Sequence, residues 1–125
     1  MTQAKILVVD DEKDVCEVTR NFLEKRNYEA FVATTQEEAI AVIRNKHPHI
    51  VLLDVRLGSD SGIEVLRKAR EFDQDTKFIM VTALDDEESV IQAKSLGADE
   101  YITKPFTAGF LNDLIARKIA EIGIH

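Results

Sequence analysis

The chain has 125 residues and a formal net charge of −7 at pH 7. This length predicts a single domain, and the negative charge argues against direct binding of nucleic acid or of an anionic membrane surface. One cysteine excludes an internal disulfide, and the absence of a signal-peptide pattern or a membrane-length apolar run favours a cytoplasmic protein.

Five short apolar segments alternate with helical patterns along the chain, at intervals of roughly two dozen residues. These predicted strands cover residues 6–9, 28–33, 50–54, 78–81 and 100–102. Strands that are apolar throughout are buried on both faces, as in parallel sheets. The pattern therefore predicts an α/β fold with a single five-stranded parallel sheet and helices on both faces.

The first helical pattern follows an acidic segment at residues 10–12 and ends near residues 26–27. Its predicted core-facing stripe has helical spacing and consists of Val15, Val18, Thr19, Phe22 and Leu23. Cys16 falls within the same pattern, where we expect it to be a small packing residue.

Capping signals mark the starts of the other helices. They are the capping-box pairs Thr35 with Glu38 and Ser61 with Glu64, and Thr107 as the N-cap of the last helix. Acidic residues at 85–88 suit the first turn of the fourth helix, and Gly97 is its expected C′ residue. The predicted inward-facing residues of these helices are Ala39, Val42, Ile43, Ile63, Leu66, Ala69, Leu111, Leu114, Ile115, Ile119 and Ile122.

Polar residues stand at the carboxyl ends of four predicted strands. They are Asp10 and Asp11 after the first strand, Asp54 at the end of the third, Thr82 after the fourth and Lys104 after the fifth. In a sheet with the order 2-1-3-4-5, ligands bind at this edge, between strands one and three. Because neighbouring strands lie about 4.8 Å apart, we expect the three acids to meet there.

Three carboxylates this close repel one another unless one is protonated or a cation binds. Together with Lys104 they carry a formal charge of −2, which one Mg²⁺ would cancel, and Mg²⁺ prefers carboxylate, phosphate and water oxygens. A carboxylate beside a metal ion and an ammonium group is suited to attack a phosphoryl group. The hydroxyl of Thr82 can donate to an oxygen of the product.

Each of these residues also has an ordinary structural explanation. Asp54 could cap the turn that follows its strand, Asp11 could be the N-cap of the first helix, and Lys104 could be a surface lysine. Thr82 could be an ordinary strand-end hydroxyl, and Tyr101 a half-buried core aromatic. Because the polar residues Asp54, Asp11, Thr82 and Lys104 all stand at predicted strand ends, a common site is favoured.

The motifs around these residues resemble those of the receiver domains of two-component response regulators. They are Val-Val-Asp10-Asp11-Glu12, Leu-Leu-Asp54, Val-Thr82-Ala83 and Tyr101-Ile-Thr-Lys104-Pro105-Phe106. The resemblance extends over essentially the whole chain, so residues 1–125 form one receiver domain by this interpretation. It implies the flavodoxin-like (βα)5 fold with the strand order 2-1-3-4-5.

By this resemblance, Asp54 is the phosphoacceptor. Mg²⁺, or Mn²⁺ as an alternative, is held by Asp10, Asp11, Asp54 and the backbone carbonyl of Arg56. The phosphoryl oxygens are bound by Thr82 and Lys104, beside the small side chain of Ala83.

The resemblance also implies a cis peptide bond between Lys104 and Pro105. Thr82 and Tyr101 form a switch that remodels the face made by the fourth helix, the fifth strand and the fifth helix. The donor is a phosphohistidine on a sensor histidine kinase or a histidine phosphotransfer protein. The remodelled face contacts a downstream target, an effector domain or a second copy of the chain, and the only reaction catalysed is the domain's own phosphorylation and dephosphorylation.

Arg56 and Leu84 flank the expected phosphoryl position, and such residues influence phosphoryl lifetime in the family. We hypothesise that Arg56 shields the acyl phosphate from water. Two departures from the family pattern stand out. The segment 58–62 lacks a proline that family members often carry, which predicts a more mobile loop. Gly109 predicts a loose first turn in the last helix, where Phe110 is either an exposed contact residue or an edge of the core.

Three other functions fit parts of the pattern. A haloacid-dehalogenase-type phosphatase would use an Asp-x-Asp pair, but Asp54 is followed two residues later by Arg56. A flavodoxin-type flavin carrier would need a hydroxyl- and glycine-rich phosphate loop after the first strand, where residues 10–12 are acidic. A receiver-like docking module that is never phosphorylated would usually lack the acceptor or the acid pair, and this chain has both.

Overall fold

The computed structural model of the chain describes residues 3–123. Within this range, the five strands of the main sheet form where apolar runs occur, and helices form where apolar residues recur at helical spacing. The strands are β1 (Lys5–Val9), β2 (Glu29–Ala33), β3 (Ile50–Asp54), β4 (Arg56–Leu57), β5 (Asp60–Ser61), β6 (Lys77–Thr82) and β7 (Glu100–Thr103). The helices are α1 (Lys13–Glu24), α2 (Gln36–Lys46), α3 (Gly62–Arg70), α4 (Glu87–Ser95) and α5 (Ala108–Ile122).

The main sheet has five parallel strands in the order β2-β1-β3-β6-β7. This confirms the predicted 2-1-3-4-5 arrangement, because β6 and β7 are the fourth and fifth strands of that sheet. The sequence did not predict β4 and β5, which form a small antiparallel hairpin within the loop after β3. Residues 58–62 are thus part of a hairpin and the start of α3, rather than an irregular loop.

Two apolar clusters cover the two faces of the sheet. Successive strand residues point to opposite faces, so Leu7 and Val9 enter one cluster while Ile6 and Val8 enter the other. The first cluster includes the buried residues of α2, α3 and α4, and the second includes those of α1 and α5. Helices therefore cover both faces, as predicted.

The predicted core-facing stripe of α1 is wrong at two positions. Val15 is 37% exposed and Val18 is 69% exposed, whereas Cys16 and Leu23 are fully buried. The buried face is set by Cys16, whose thiol lies 3.3 Å from the backbone oxygen of Asp10 and packs against the sheet. The helix also ends at Glu24, earlier than predicted, because the chain turns at Asn27 with a φ of +67°.

The helix caps largely follow the sequence prediction. The hydroxyl of Thr35 accepts a hydrogen bond from the Glu38 amide, and the Glu38 carboxylate accepts chiefly from the amide and hydroxyl of Thr34, one residue before the capping-box position. Ser61 caps α3 through the amide of Ile63. Its expected capping-box partner Glu64 instead pairs with Arg67, since these two side chains lie one turn apart on the helix.

The remaining helix ends and inward faces agree with the prediction. Thr107 accepts from the Phe110 amide at the start of α5, and Gly97 follows α4 with a φ of +88°. The predicted inward residues of α2, α3 and α5 all lie in the two clusters or pack against them. Phe110 is 53% exposed, which favours the prediction of an exposed contact residue over that of an edge of the core. Within residues 3–123, every helix is too short or too polar to span a lipid bilayer.

Candidate functional site

The carboxyl edge of the sheet brings the predicted polar residues together. Strands β1, β3 and β6 are adjacent, and Leu53 is paired in register with Val9 on one side and Met80 on the other. The next residues, Asp10 and Asp54, are therefore neighbours at the same level of the edge. Lys104 is held beside them, because its amide donates to the carbonyl of Thr82 at 2.9 Å.

Asp54 has two differently engaged carboxylate oxygens. Its Oδ1 accepts a hydrogen bond from the Arg56 amide at 2.9 Å, so the residue does cap the turn that follows β3. Its Oδ2 accepts from the Lys104 ammonium at 2.7 Å. The residue is only 9% exposed, so the carboxylate is fixed in one orientation while one oxygen faces the cation.

Lys104 serves two carboxylates. Its Nζ lies 2.7 Å from Asp54 Oδ2 and 3.7 Å from Asp10 Oδ2. Partial burial lowers the pKa of Lys104, but the hydrogen bond that it donates to Asp54 and the charges of Asp54, Asp10 and Glu12 outweigh this effect and raise the pKa above its usual value. The group is therefore an ammonium at neutral pH. The peptide bond between Lys104 and Pro105 is cis.

Asp10 is the most buried of the three consecutive acids at residues 10–12, which follow β1. Burial raises its pKa, and the negative charges of Asp54 and Asp11 act in the same direction. The amide of Glu12, which donates to Asp10 Oδ1 at 2.9 Å, and the charge of Lys104 oppose this rise without cancelling it. The pKa of Asp10 therefore lies above its usual value, mainly because the carboxyl group is buried.

The acids have an arrangement that fits a hard cation. Carboxylate oxygens of Asp10, Asp11 and Glu12 all lie within 4.8 Å of one another, and oxygen donors are what Mg²⁺ prefers. Asp11 is exposed and is not the N-cap of α1, a position that Glu12 occupies. No role was predicted for Glu12, although it is the third of three consecutive acids in the sequence.

A cavity of about 320 Å³ opens at this edge. It is lined by Asp11, Glu12, Asp54, Val55, Arg56, Gly58, Thr82, Ala83, Asp86 and Lys104. Most of the predicted site residues therefore share one space. Asp86 was not predicted to line it, because the acidic segment at 85–88 was explained by the helix macrodipole alone; in the structure Asp86 is the N-cap of α4.

Four predicted residues do not line this cavity: Asp10, Leu84, Tyr101 and Pro105. Asp10 lies next to it, since its Oδ2 is 3.7 Å from the Nζ of Lys104, which does line it. Leu84 is 83% exposed and Tyr101 is 42% exposed, and both line a neighbouring cavity of about 290 Å³ that also reaches Thr82. The Tyr101 ring lies on the outside of β7, with the ammonium of Lys94 4.9 Å from its centre. Thr82, Ala83 and Asp86 line both cavities, and Thr82 is the residue among them that carries a hydroxyl.

Gly62 controls how closely α3 approaches the acceptor strand. A Cβ atom at this position would lie 2.0 Å from the Asp54 carbonyl oxygen and 2.9 Å from its carbonyl carbon. The Gly62 amide also donates to the carbonyl of Val55 at 2.8 Å. Only glycine allows this contact. In the sequence, the one indication of a close contact here was that a glycine stands directly before a helical pattern.

Comparison with known proteins places this site in a family. A sequence model described as the response regulator receiver domain matches residues 6–116. The structure is similar to a CheY-like receiver domain protein from Methanospirillum hungatei, with a TM-score of 0.92 and 34% identity over 97% of each chain.

Two further solved structures are similar. A two-component response regulator from Clostridium difficile has a TM-score of 0.90 and 26% identity, over 97% of this chain and 99% of that one. NtrX from Brucella abortus has a TM-score of 0.89 and 28% identity, over 97% of this chain but only 28% of that one. The chain belongs to the response regulator receiver domain family, whose members are signalling domains of two-component systems.

Proposed function

We propose that this domain accepts a phosphoryl group on Asp54 from a phosphohistidine of a sensor histidine kinase or a histidine phosphotransfer protein. The observation that carries the proposal is the Asp54 carboxylate, held at a buried strand end with one oxygen 2.7 Å from Lys104 Nζ. Receiver domains are signalling domains rather than classical enzymes, which favours this function over the phosphatase alternative.

In the proposed step, an Asp54 oxygen forms a bond to phosphorus while the bond from phosphorus to the donor imidazole nitrogen breaks. The imidazole keeps that electron pair and takes up a proton. Lys104 turns its ammonium from the Asp54 carboxylate to an oxygen of the incoming phosphoryl group. Thr82 donates its hydroxyl to another oxygen, and the small Ala83 leaves room for the group.

Asp10, Asp11, Asp54 and the backbone carbonyl of Arg56 would hold Mg²⁺ in this proposal, and Mn²⁺ suits the same oxygen donors. The bound ion would neutralise charge on the phosphoryl oxygens during transfer. The close approach of the carboxylate oxygens after β1 supports the assignment. Asp54, fixed through Oδ1 by the Arg56 amide, keeps its orientation when the donor arrives.

Signalling would pass from Thr82 to Tyr101. Once the Thr82 hydroxyl turns to the phosphoryl group, the cavity shared by Thr82 and Tyr101 has room for the aromatic ring. An inward ring changes the face made by α4, β7 and α5, on which Ile91 and Phe110 are exposed. A downstream target, an effector domain or a second copy of the chain would read this change. We place these events in the cytoplasm, as the single unpaired cysteine favours.

The test is the intact mass of the protein after incubation with acetyl phosphate, with and without Mg²⁺. We expect one phosphoryl group on the natural protein in the presence of Mg²⁺ and none on Asp54→Ala. Asp86→Asn is the matched control, because it removes an acid from the same cavity without removing the acceptor. Addition to Asp54→Ala would refute the assignment of the acceptor, and no addition to the natural protein would favour an unphosphorylated docking module.

A further inference from the structure

The hairpin of β4 and β5 forms one wall of the site cavity. Arg56 and Gly58 both line the cavity. A Cβ atom on Gly58 would lie 3.6 Å from Asp11 Oδ2, so the tip of the hairpin lies directly against the acidic segment. The position of this hairpin therefore sets where the Arg56 backbone stands relative to the acids.

The hairpin has little structure of its own to hold it there. It has two residues in each strand, paired Arg56 with Ser61 and Leu57 with Asp60, and a lone two-stranded hairpin is at best marginally stable in water. Leu57 anchors one strand in the core, where it is 3% exposed. Gly58, at the tip, has the positive φ that a two-residue hairpin turn needs. The tip itself is exposed.

Asp60 supplies a contact to a separate part of the chain. Its Oδ2 accepts a hydrogen bond from the amide of Gln36 at 3.0 Å. Gln36 is the first residue of α2, where backbone amides have no partner within the helix. The N-cap residue Thr35 bonds the amide of Glu38 instead. Asp60 thus completes the cap of α2 from the hairpin and joins the second strand of the hairpin to that helix.

We propose that Asp60 is a positioning residue for the cation site. By tying β5 to the first turn of α2, it holds the paired strand β4, and so the Arg56 carbonyl, beside Asp11 and Asp54. The inference rests on the proposed function, since it concerns the same Mg²⁺ site. Mg²⁺ demands near-ideal octahedral geometry, so a hairpin free to shift offers its carbonyl less often in the required place.

The test measures Mg²⁺ binding directly, without phosphorylation, by isothermal titration calorimetry of the metal-free protein. Asp60→Ala removes both the charge and the hydrogen-bond acceptor, whereas Asp60→Asn keeps an acceptor and removes only the charge. Thr35→Ala weakens the same helix terminus without touching the hairpin. Hydrogen exchange of the amides of residues 56–61, followed by NMR, reports the hairpin itself.

We expect Asp60→Ala to weaken Mg²⁺ binding roughly tenfold, at the low end of the effect of residues that position metal ligands. It should also speed amide exchange in the hairpin, while Asp60→Asn and Thr35→Ala stay near the natural protein in both measurements. Equal Mg²⁺ affinity in Asp60→Ala would overturn this inference alone. A loss of Mg²⁺ affinity in Thr35→Ala as large as in Asp60→Ala would also overturn it, because the cause would then be a general effect of α2. The same loss in Asp60→Asn would overturn it too, because the cause would then be the charge of Asp60 and not its hydrogen bond. If the natural protein binds no Mg²⁺, the proposed cation site fails and this inference fails with it.

Discussion

Gly62→Ala tests whether α3 must begin against the backbone of the acceptor residue. The new Cβ would lie 2.0 Å from the Asp54 carbonyl oxygen, whereas real Cβ contacts essentially never fall below 3.0 Å. Either α3 or the end of β3 must therefore move by about 1 Å. Both groups in the clash belong to main-chain positions, so no change of rotamer relieves it.

Three terms set the size of the effect. Overpacking of a filled site costs about 1–3 kcal/mol. If α3 moves away, the 2.8 Å bond from the Gly62 amide to Val55 is weakened, which adds about 1 kcal/mol. Alanine is a better helix former than glycine by up to about 1 kcal/mol, which acts in the opposite direction. We expect a net loss of about 1–3 kcal/mol in the free energy of unfolding.

The assay is urea denaturation followed by far-UV circular dichroism, with phosphorylation by acetyl phosphate measured on the same samples. Gly109→Ala is the matched control, since Gly109 also lies in the first turn of a helix and a Cβ there meets nothing closer than 4.0 Å. That variant should be as stable as the natural protein or more stable. If Gly62→Ala is equally stable and is phosphorylated at the natural rate, the claimed close approach of α3 to Asp54 is wrong.

Two further predictions concern the phosphoryl group and pH. Arg56→Ala should speed loss of the phosphoryl group by about 1.4- to fivefold, the rate equivalent of the roughly 0.2–1 kcal/mol that an exposed ion pair contributes. The rate is measured as the decay of the phosphorylated protein in intact mass spectra, with Arg67→Ala as the control. An unchanged decay rate in Arg56→Ala would refute the hypothesis that Arg56 shields the acyl phosphate from water. Burial and the charge of Lys5 lower the pKa of His49, whose Nδ1 accepts from the Lys5 amide at 2.9 Å. The unfolded chain therefore binds the proton more readily, so the free energy of unfolding should fall as pH drops below about 6.5. Urea denaturation from pH 5 to 7 should show a flatter dependence in His49→Asn but not in His47→Asn, and equal slopes in all three proteins would contradict the assignment.

The meeting of the charged residues could be predicted because it depends on topology alone. Asp54 and Lys104 are 50 residues apart, yet each follows an apolar strand of the same parallel sheet. Once the sheet is inferred, its carboxyl edge has to collect them. The proximity of these groups is thus a consequence of the sequence pattern, whereas their roles in phosphoryl transfer remain proposals for experiment.

Other features depend on contacts that no local pattern encodes. The hairpin has only two residues per strand, too few to show a period. The bond from Asp60 to the Gln36 amide spans 24 residues and depends on how two loops lie in space. In α1, two overlapping sets of residues have helical spacing. The packing of Cys16 buries one of these sets, and Val15 and Val18 belong to the other, exposed set.

The amino and carboxyl ends of the strands differ in the contacts that hold the surrounding loops and helix ends. This difference determines which segments can move when Asp54 gains a charge. At the amino edge, Arg70 donates to the carbonyls of Thr76 and Gly97 and pairs with Asp99. Asp99 also accepts from the amide of Phe78, the second residue of β6. These bonds tie the end of α3, the start of β6 and the turn after α4 into one unit.

At the carboxyl edge the ion-pairing side chain is more exposed than Arg70, whose side chain is 14% exposed. Lys104 has a side chain that is 45% exposed, and the start of α4 is held by a 3.3 Å bond from the Ser89 amide to Asp86. Ala93, near the end of α4, is its one buried residue. We therefore expect phosphorylation to move the first turns of α4 about its fixed carboxyl end. Hydrogen exchange should then change in residues 84–90 and stay constant around Gly97.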